Sequence, residues 1–263
     1  MPTPTGAEPR LAAARAAAVV MDRGIGLDEA LDAELGDLSG ARDRALARRL
    51  ANALMHEWPA VQSIMHRLLK RRPAKRDRLV EFVLAIALLE LRQAREPARA
   101  VVHVAVEAIG LSGLRHLRGL VNAVLRNYQR RNDAIDADIP DDPEHRYGYP
   151  SWLIDRIRDD WPDEWQQILV AGNLPPPLWL RINRRHWSVG QAQQALVDAG
   201  LAVRTAPGLP DALILERRAA VSDLPGFCEG GLSVQDGAAQ ATVELLRLES
   251  GHRVLDACAA PGG

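Results

Sequence analysis

The sequence predicts a multidomain chain: an all-α domain over residues 1–140, a small α/β module over 141–230, and the start of a further α/β domain over 231–263. Three observations carry this. Apolar residues recur at three- and four-residue steps from about Arg10 to Arg131, with no β-type alternation. An acidic, proline-broken stretch then runs from Asn132 to Pro150 and marks a linker. Strand-like segments begin only beyond Pro175-Pro176-Pro177, which forbids helix and enforces an extended approach.

Within the first part, Leu46, Leu50, Ala53 and Leu54 form one helical stripe, and Val61, Ile64, Met65 and Leu68 the next. Pro59 between them predicts a break or a new first turn. Leu79, Phe82, Val83, Ile86 and Leu89 belong to a helix apolar on more than one face, the expected centre of a bundle. Pro97 opens a helix through Val101, Val102, Ala105, Val106 and Ile109, with Gly110 placed to cap it. A long last helix carries Leu117, Leu120, Val121, Val124, Leu125 and Tyr128.

In the module, Ser151 is expected to cap a helix burying Trp152, Leu153, Ile157 and Trp161. A strand follows at Leu178–Asn183, a helix at Val189–Ala199 and a short strand at Ala212–Leu215. The last part reads as a strand at Gly231–Gln235, a helix capped by Asp236 and running to about Leu248, and a second strand at Arg253–Asp256.

The 263 residues are 47% hydrophobic and 25% charged, the profile of a globular rather than a disordered chain. The net charge of -1 hides an asymmetry: residues 1–140 hold 22 Lys and Arg against 17 Asp and Glu, and residues 141–263 hold 11 against 17. A basic first part suits an anionic partner, though such a surplus is also common on helical domains. Cys228 and Cys258, far apart and without His at ligand spacing, support neither a disulfide framework nor a metal site, and fit a reducing cytoplasm. The apolar run Leu79–Leu91 contains Glu81 and falls short of the roughly 20 residues of a membrane span.

The closing residues Val254-Leu255-Asp256-Ala257-Cys258-Ala259-Ala260-Pro261-Gly262-Gly263 place an acidic residue at the end of a strand, followed by small residues and glycines. Such a turn lets a ligand approach bare backbone. The dinucleotide pattern G-x-G-x-x-G is absent; D-x-C-A-A-P-G-G resembles instead the first cofactor motif of RNA 5-methylcytosine methyltransferases. Val234-Gln235-Asp236-Gly237-Ala238-Ala239-Gln240 resembles the V-Q-D-x-x-A-Q segment preceding that motif. Leu180-Arg181-Ile182-Asn183-Arg184 is similar to its R-x-N strand, and Tyr149-Pro150-Ser151-Trp152-Leu153 to its P-x-W-L helix start. Leu88-Leu89-Glu90-Leu91, Ala105-Val106-Glu107 and Leu120–Arg126 resemble landmarks of the NusB fold, an RNA-binding helical bundle. In this order the motifs resemble the RsmB (Sun, Fmu) family.

The resemblance implies a NusB-like RNA-binding domain over 1–140, a small module over 141–230, and the truncated start of a Rossmann-like S-adenosylmethionine methyltransferase domain over 231–263. It implies methylation of cytosine ring carbon 5 in 16S ribosomal RNA by a cytoplasmic monomer, with no DNA, membrane or metal involved. Asp256, Cys258, Ala259, Ala260, Pro261, Gly262 and Gly263 would shape the methionine end of the S-adenosylmethionine pocket. The family's two catalytic cysteines are expected beyond Gly263, so the chain by itself is expected to be inactive. A stand-alone NusB-like module for RNA binding or antitermination is the second reading, and D-x-C-A-A-P-G-G separates the two.

Two sets of residues are candidates for RNA contact. Arg181, Asn183 and Arg184, with Arg185, suit phosphate contacts that confer affinity rather than sequence choice; a solvated strand edge carries the same residues. Arg67, Lys70, Arg71, Arg72, Lys75, Arg76 and Arg78, diluted only by Asp77, form the densest positive cluster, suited to following an RNA backbone, though exposed bundle helices are often decorated this way. Arg115, Arg118, Arg126, Arg130 and Arg131 extend it. Trp152, Trp161, Trp165 and Trp179 are expected in cores rather than as base-stacking platforms.

Overall fold

A computed structural model describes residues 6–217 and 219–257, apart from the side chain of Glu244. It divides into two compact units, with the division after Asn173.

The first unit is helical throughout: α1 (Ala7–Arg23), α2 (Leu27–Leu35), α3 (Ala41–Leu68), α4 (Leu79–Gln93), α5 (Ala98–Leu111) and α6 (Arg118–Asp136), then the shorter α7 (Pro143–Tyr147), α8 (Ser151–Asp160) and α9 (Trp165–Asn173). Helix α4 is the axis, packing against α1, α3, α5 and α6. Its apolar residues from Val80 to Leu89 are buried all round, as its unbroken hydrophobic run requires. Each large aliphatic side chain so buried contributes about 1.5–3 kcal/mol. Glu90, buried in the same helix, is paired with Arg10 of α1 at 2.6 Å.

Helix α3 runs uninterrupted through Pro59, where the sequence suggested a break. Proline in a helix interior costs about 3 kcal/mol. Both flanks of α3 are nailed to the core, through Leu50, Ala51 and Leu54 before the proline and Val61, Ile64 and Met65 after it, and this offsets the lost hydrogen bond. Gly110 is no cap either: α5 continues to Leu111, and the Arg118 guanidinium lies against Gly110, where a Cβ would meet it at 2.4 Å. The acidic stretch expected as a linker is partly helical, because Asp133 and Asp136 close α6 and Asp142 caps α7. On α8 the buried residue is Ile154, whereas Trp152 is 70% and Trp161 58% exposed. The expectation that these tryptophans pack in a core is overturned within this unit.

The second unit holds a four-stranded antiparallel sheet, in the order β2-β3-β1-β4, from β1 (Leu178–Ile182), β2 (Val203–Ala206), β3 (Leu209–Leu215) and β4 (Leu232–Val234). Helix α10 (Val189–Asp198) follows β1, opened by a capping box between Ser188 and Gln191. Leu180, Ile182, Leu213, Leu215 and Leu232 pack with Ala192 and Leu196 of α10 in one core. Strand β2, which the sequence reading missed, pairs with β3 across the turn Pro207-Gly208, with Gly208 at φ 77°. Helix α11 (Gly237–Leu245) comes last.

Two expectations for the end of the chain change. Strand β4, assigned by sequence to a third domain beginning at 231, is hydrogen-bonded to β1 and completes the module's sheet. Residues 253–256 form no strand; Val254 and Leu255 are exposed there.

Candidate functional site

The end of β1 builds the better-defined site. Alternation along the strand buries Leu180 and Ile182 and turns Arg181 outward. At Asn183 the strand stops for a reason visible in its hydrogen bonds. The Asn183 carboxamide oxygen accepts from the Arg185 N–H (3.1 Å), an Asx turn, and its amide nitrogen donates to the Gly230 carbonyl (3.0 Å). Its carbonyl accepts from the N–H groups of His186 and Trp187, and its own N–H donates to the Gly231 carbonyl. Asn183 is therefore the pin that fixes a turn presenting Arg184 and Arg185.

These residues line an open cleft of about 510 Å³ with Arg181, Asp211, Gly230 and Ser233. Arg184 donates from Nε to Asp211 of β3, a surface pair worth about 0–1 kcal/mol. Arg181 makes no ion pair among the described residues, so its charge faces the cleft uncompensated. Three arginines against one aspartate make the cleft cationic.

On the other side of the sheet edge, the β4–α11 junction is tightly specified. Asp236 Oδ1 accepts from the Ala238 N–H (2.8 Å), as expected of an N-cap. Gln240, buried, donates from Nε2 to the Gln235 carbonyl (2.9 Å) and reaches the Leu180 carbonyl of β1 (3.4 Å). Gly237 lies under the Trp179 ring, where a Cβ would meet it at 2.6 Å. The Val234–Gln240 motif is thus a structural joint between sheet and helix. Of the residues assigned to the methyl donor, Asp256 is described and exposed, in a segment without regular structure. Cys258, Ala259, Ala260, Pro261, Gly262 and Gly263 lie outside the described residues.

The basic cluster of the first unit surrounds the connection from α3 to α4. Lys70, Arg71, Arg72, Lys75 and Arg76 are all exposed. A groove of about 760 Å³ runs beneath them, with Leu68, Leu117, Leu120 and Val124 among its apolar walls. Arg67 stands apart from this set: Nη1 donates to Asp138 at 2.6 Å, tying α3 to the residues after α6. Arg118 is likewise engaged, donating to the Val106 carbonyl.

One constellation gave no sequence signal. Ser63 Oγ of α3 lies 3.0 Å from His145 Nε2, and His145 Nδ1 lies 2.8 Å from Asp142 Oδ1. The His145 backbone N–H, then its ring, holds the Asp142 carboxyl below the usual range. Together with Gly148, whose Cβ would stand 2.0 Å from the His56 carbonyl oxygen, this relay fastens α7 to α3. Its parts are 82 residues apart, so no local spacing reveals it. Among the described residues no group of three or more His, Cys, Asp or Glu is placed to hold a metal ion.

The architecture is a helical bundle followed by a small antiparallel module, and comparison with known proteins matches a domain model to each part. Residues 7–130 match the NusB family, and residues 149–222 match the Methyltr_RsmF/B-like, ferredoxin-like domain. The chain carries both matches, in this order.

Its relatives include the proteins named ribosomal RNA small subunit methyltransferase B from Vibrio cholerae (40% identical) and Klebsiella pneumoniae (37%), each over 97% of this chain and 58% of the relative. The protein of that name from Xanthomonas campestris is 39% identical over 98% of this chain and 57% of its own length. The chain thus spans somewhat more than half the length of the curated relatives it matches. The crystal structure of PH0851 shares the fold, with a TM-score of 0.65 at 19% identity over 100% of this chain and 60% of that one.

Proposed function

We propose that this chain is the RNA-engaging part of a methyltransferase that modifies 16S ribosomal RNA at ring carbon 5 of a cytosine, using S-adenosylmethionine. The observation that carries the reading is the pair of domain matches: both occur in order, and the relatives are named for small-subunit ribosomal RNA methylation. The methyl donor and the choice of carbon 5 rest on the resemblance of Asp256–Gly263 to the cofactor motif D-x-C-A-A-P-G-G.

The structure supports an RNA role with two cationic surfaces. Arg181, Arg184 and Arg185 suit the sugar–phosphate backbone at the sheet cleft, with Asn183 as positioning residue rather than contact. Lys70, Arg71, Arg72, Lys75 and Arg76 offer a second backbone-following surface on the bundle. S-adenosylmethionine supplies the methyl group; this chain's residues bind and orient the RNA. Thiolate attack on a pyrimidine needs an activated cysteine. Cys228 is exposed and has no counterpart in the family pattern, and Cys258 belongs to the cofactor motif, so the 263 residues alone are expected to transfer no methyl group.

The test has two arms. Filter binding of the chain to unmodified 16S ribosomal RNA should give salt-sensitive affinity. The same RNA with labelled S-adenosylmethionine and the chain should show no incorporation, while the full-length protein should label cytosine carbon 5. A longer protein carrying this chain that binds the RNA but leaves it unlabelled would refute the reading and favour the stand-alone antitermination module.

A further inference from the structure

A second cleft on the bundle, of about 300 Å³, adjoins the apolar groove, and Leu69, Arg71 and Arg72 line both. Its volume lies at the lower limit of small-molecule sites, roughly 300–1,000 Å³. It is too small for a duplex and about right for one nucleotide.

The walls divide by chemistry. Trp58, with Met21 and Met65, gives an aromatic and thioether surface. Trp58 is braced from behind by Phe82, with rings 5.6 Å apart and 15° from parallel. Arg78, also on the lining, is paired with Asp22 at 2.7 Å and sits 5.9 Å from the Phe82 ring centre. A rigid ring beside soft sulfur side chains suits a flat heteroaromatic partner.

Two groups can read the edge of such a ring. The Gln62 carboxamide makes no hydrogen bond among the described residues and can both donate and accept. The Glu81 side chain is largely buried, and its one ion pair among the described residues is a 3.9 Å contact to Arg78. An acceptor of this kind favours an exocyclic amino group and opposes a carbonyl. It also opposes an acidic peptide side chain. Arg72 donates to His66 Nε2 at 3.1 Å, and both line the cleft with Arg71. The two arginines supply the phosphate end.

We propose that the Trp58 cleft is a nucleotide subsite, taking a base with an exocyclic amino group, cytosine or adenine, together with its phosphate. The nucleotide comes either free or as an unstacked residue of an RNA strand. The strand source rests on the RNA reading above; the chemistry of the cleft does not.

The test uses the chain labelled with ¹⁵N and follows its tryptophan indole N–H signals, the Trp58 signal being the one lost in Trp58→Phe. Cytidine 5′-monophosphate and adenosine 5′-monophosphate should shift that signal saturably, and uridine 5′-monophosphate should bind at least about tenfold more weakly. Gln62→Ala and Arg72→Ala should each weaken cytidine monophosphate about tenfold while leaving the other indole signals in place. A short oligocytidine acting at far lower concentration than the monophosphate assigns the site to an RNA strand; equal or weaker action assigns it to the free nucleotide. No shift at millimolar nucleotide overturns the proposal, as does equal binding of ribose 5-phosphate or uridine monophosphate. Absence of any nucleotide-induced shift in the natural chain, with its RNA affinity intact, would sink this subsite without touching the RNA reading.

Discussion

Arg10 and Glu90 meet in a two-pronged pair inside the helical unit, Nε to Oε2 at 2.7 Å and Nη2 to Oε1 at 2.6 Å, with 12% and 4% of their side chains exposed. Arg10 also donates to the Gly6 carbonyl, so the pair binds the start of α1 to the central helix. Glu90→Ala should cost about 3–5 kcal/mol, because it leaves a guanidinium buried without its partner. Arg10→Met with Glu90→Leu should recover most of that loss. Urea unfolding of the single and double variants measures both.

At the sheet cleft, the two arginines are expected to behave differently. Arg181→Ala should weaken RNA binding in low salt and lower the salt-dependence slope by about one. Arg184→Ala should do less, since Arg184 already answers Asp211. Asp211→Asn should strengthen binding by removing the one carboxylate of the cleft. Affinities measured across a salt series decide; an unchanged slope for Arg181→Ala would remove it from the interface.

Asn183 should affect RNA affinity through geometry. Asn183→Ala is expected to lower affinity as much as loss of Arg181, although the variant keeps every positive charge. Hydrogen exchange at Arg185 and His186 should quicken in it, because the turn loses its pin.

Gly148 has φ 74° and the His56 carbonyl oxygen in the place of a Cβ. Gly148→Ala should therefore destabilise the helical unit by more than about 1 kcal/mol and loosen α7 from α3. Thermal unfolding combined with hydrogen exchange over 143–147 would show it.

The Asp142 carboxyl, held below its usual range by His145, links this fastening to acid. A depressed carboxyl contributes stability that is present above its unfolded value of about 3.9 and is lost as pH falls through the folded value. Stability should therefore decline more steeply below about pH 4 in the natural protein than in Asp142→Asn. Unfolding midpoints collected from pH 6 down to pH 2 make the comparison.

Much of the fold is written in local pattern. The all-round apolar run of α4, the capping residues Ser188 and Asp236, and the alternation that exposes Arg181 each depend on neighbours within a turn or two. Strand β2 escaped because Val203–Ala206 is short and weakly apolar; the Pro207-Gly208 turn was its readable sign. Trp152 and Trp161 misled because a large apolar side chain records no direction until its helix has a neighbour.

The sequence by itself determined the helical first part, the later strands and the family motifs, because periodicity, caps and turn residues act over a few positions. Tertiary structure alone decided that Pro59 stays inside a helix, that Asn183 pins a turn instead of facing solvent, and that Ser63, His145 and Asp142 meet. It also decided that Arg67 and Arg184 are spoken for while Arg181 is not. These outcomes depend on groups far apart in the chain, whose contact energies exist only after packing has brought them within hydrogen-bonding distance.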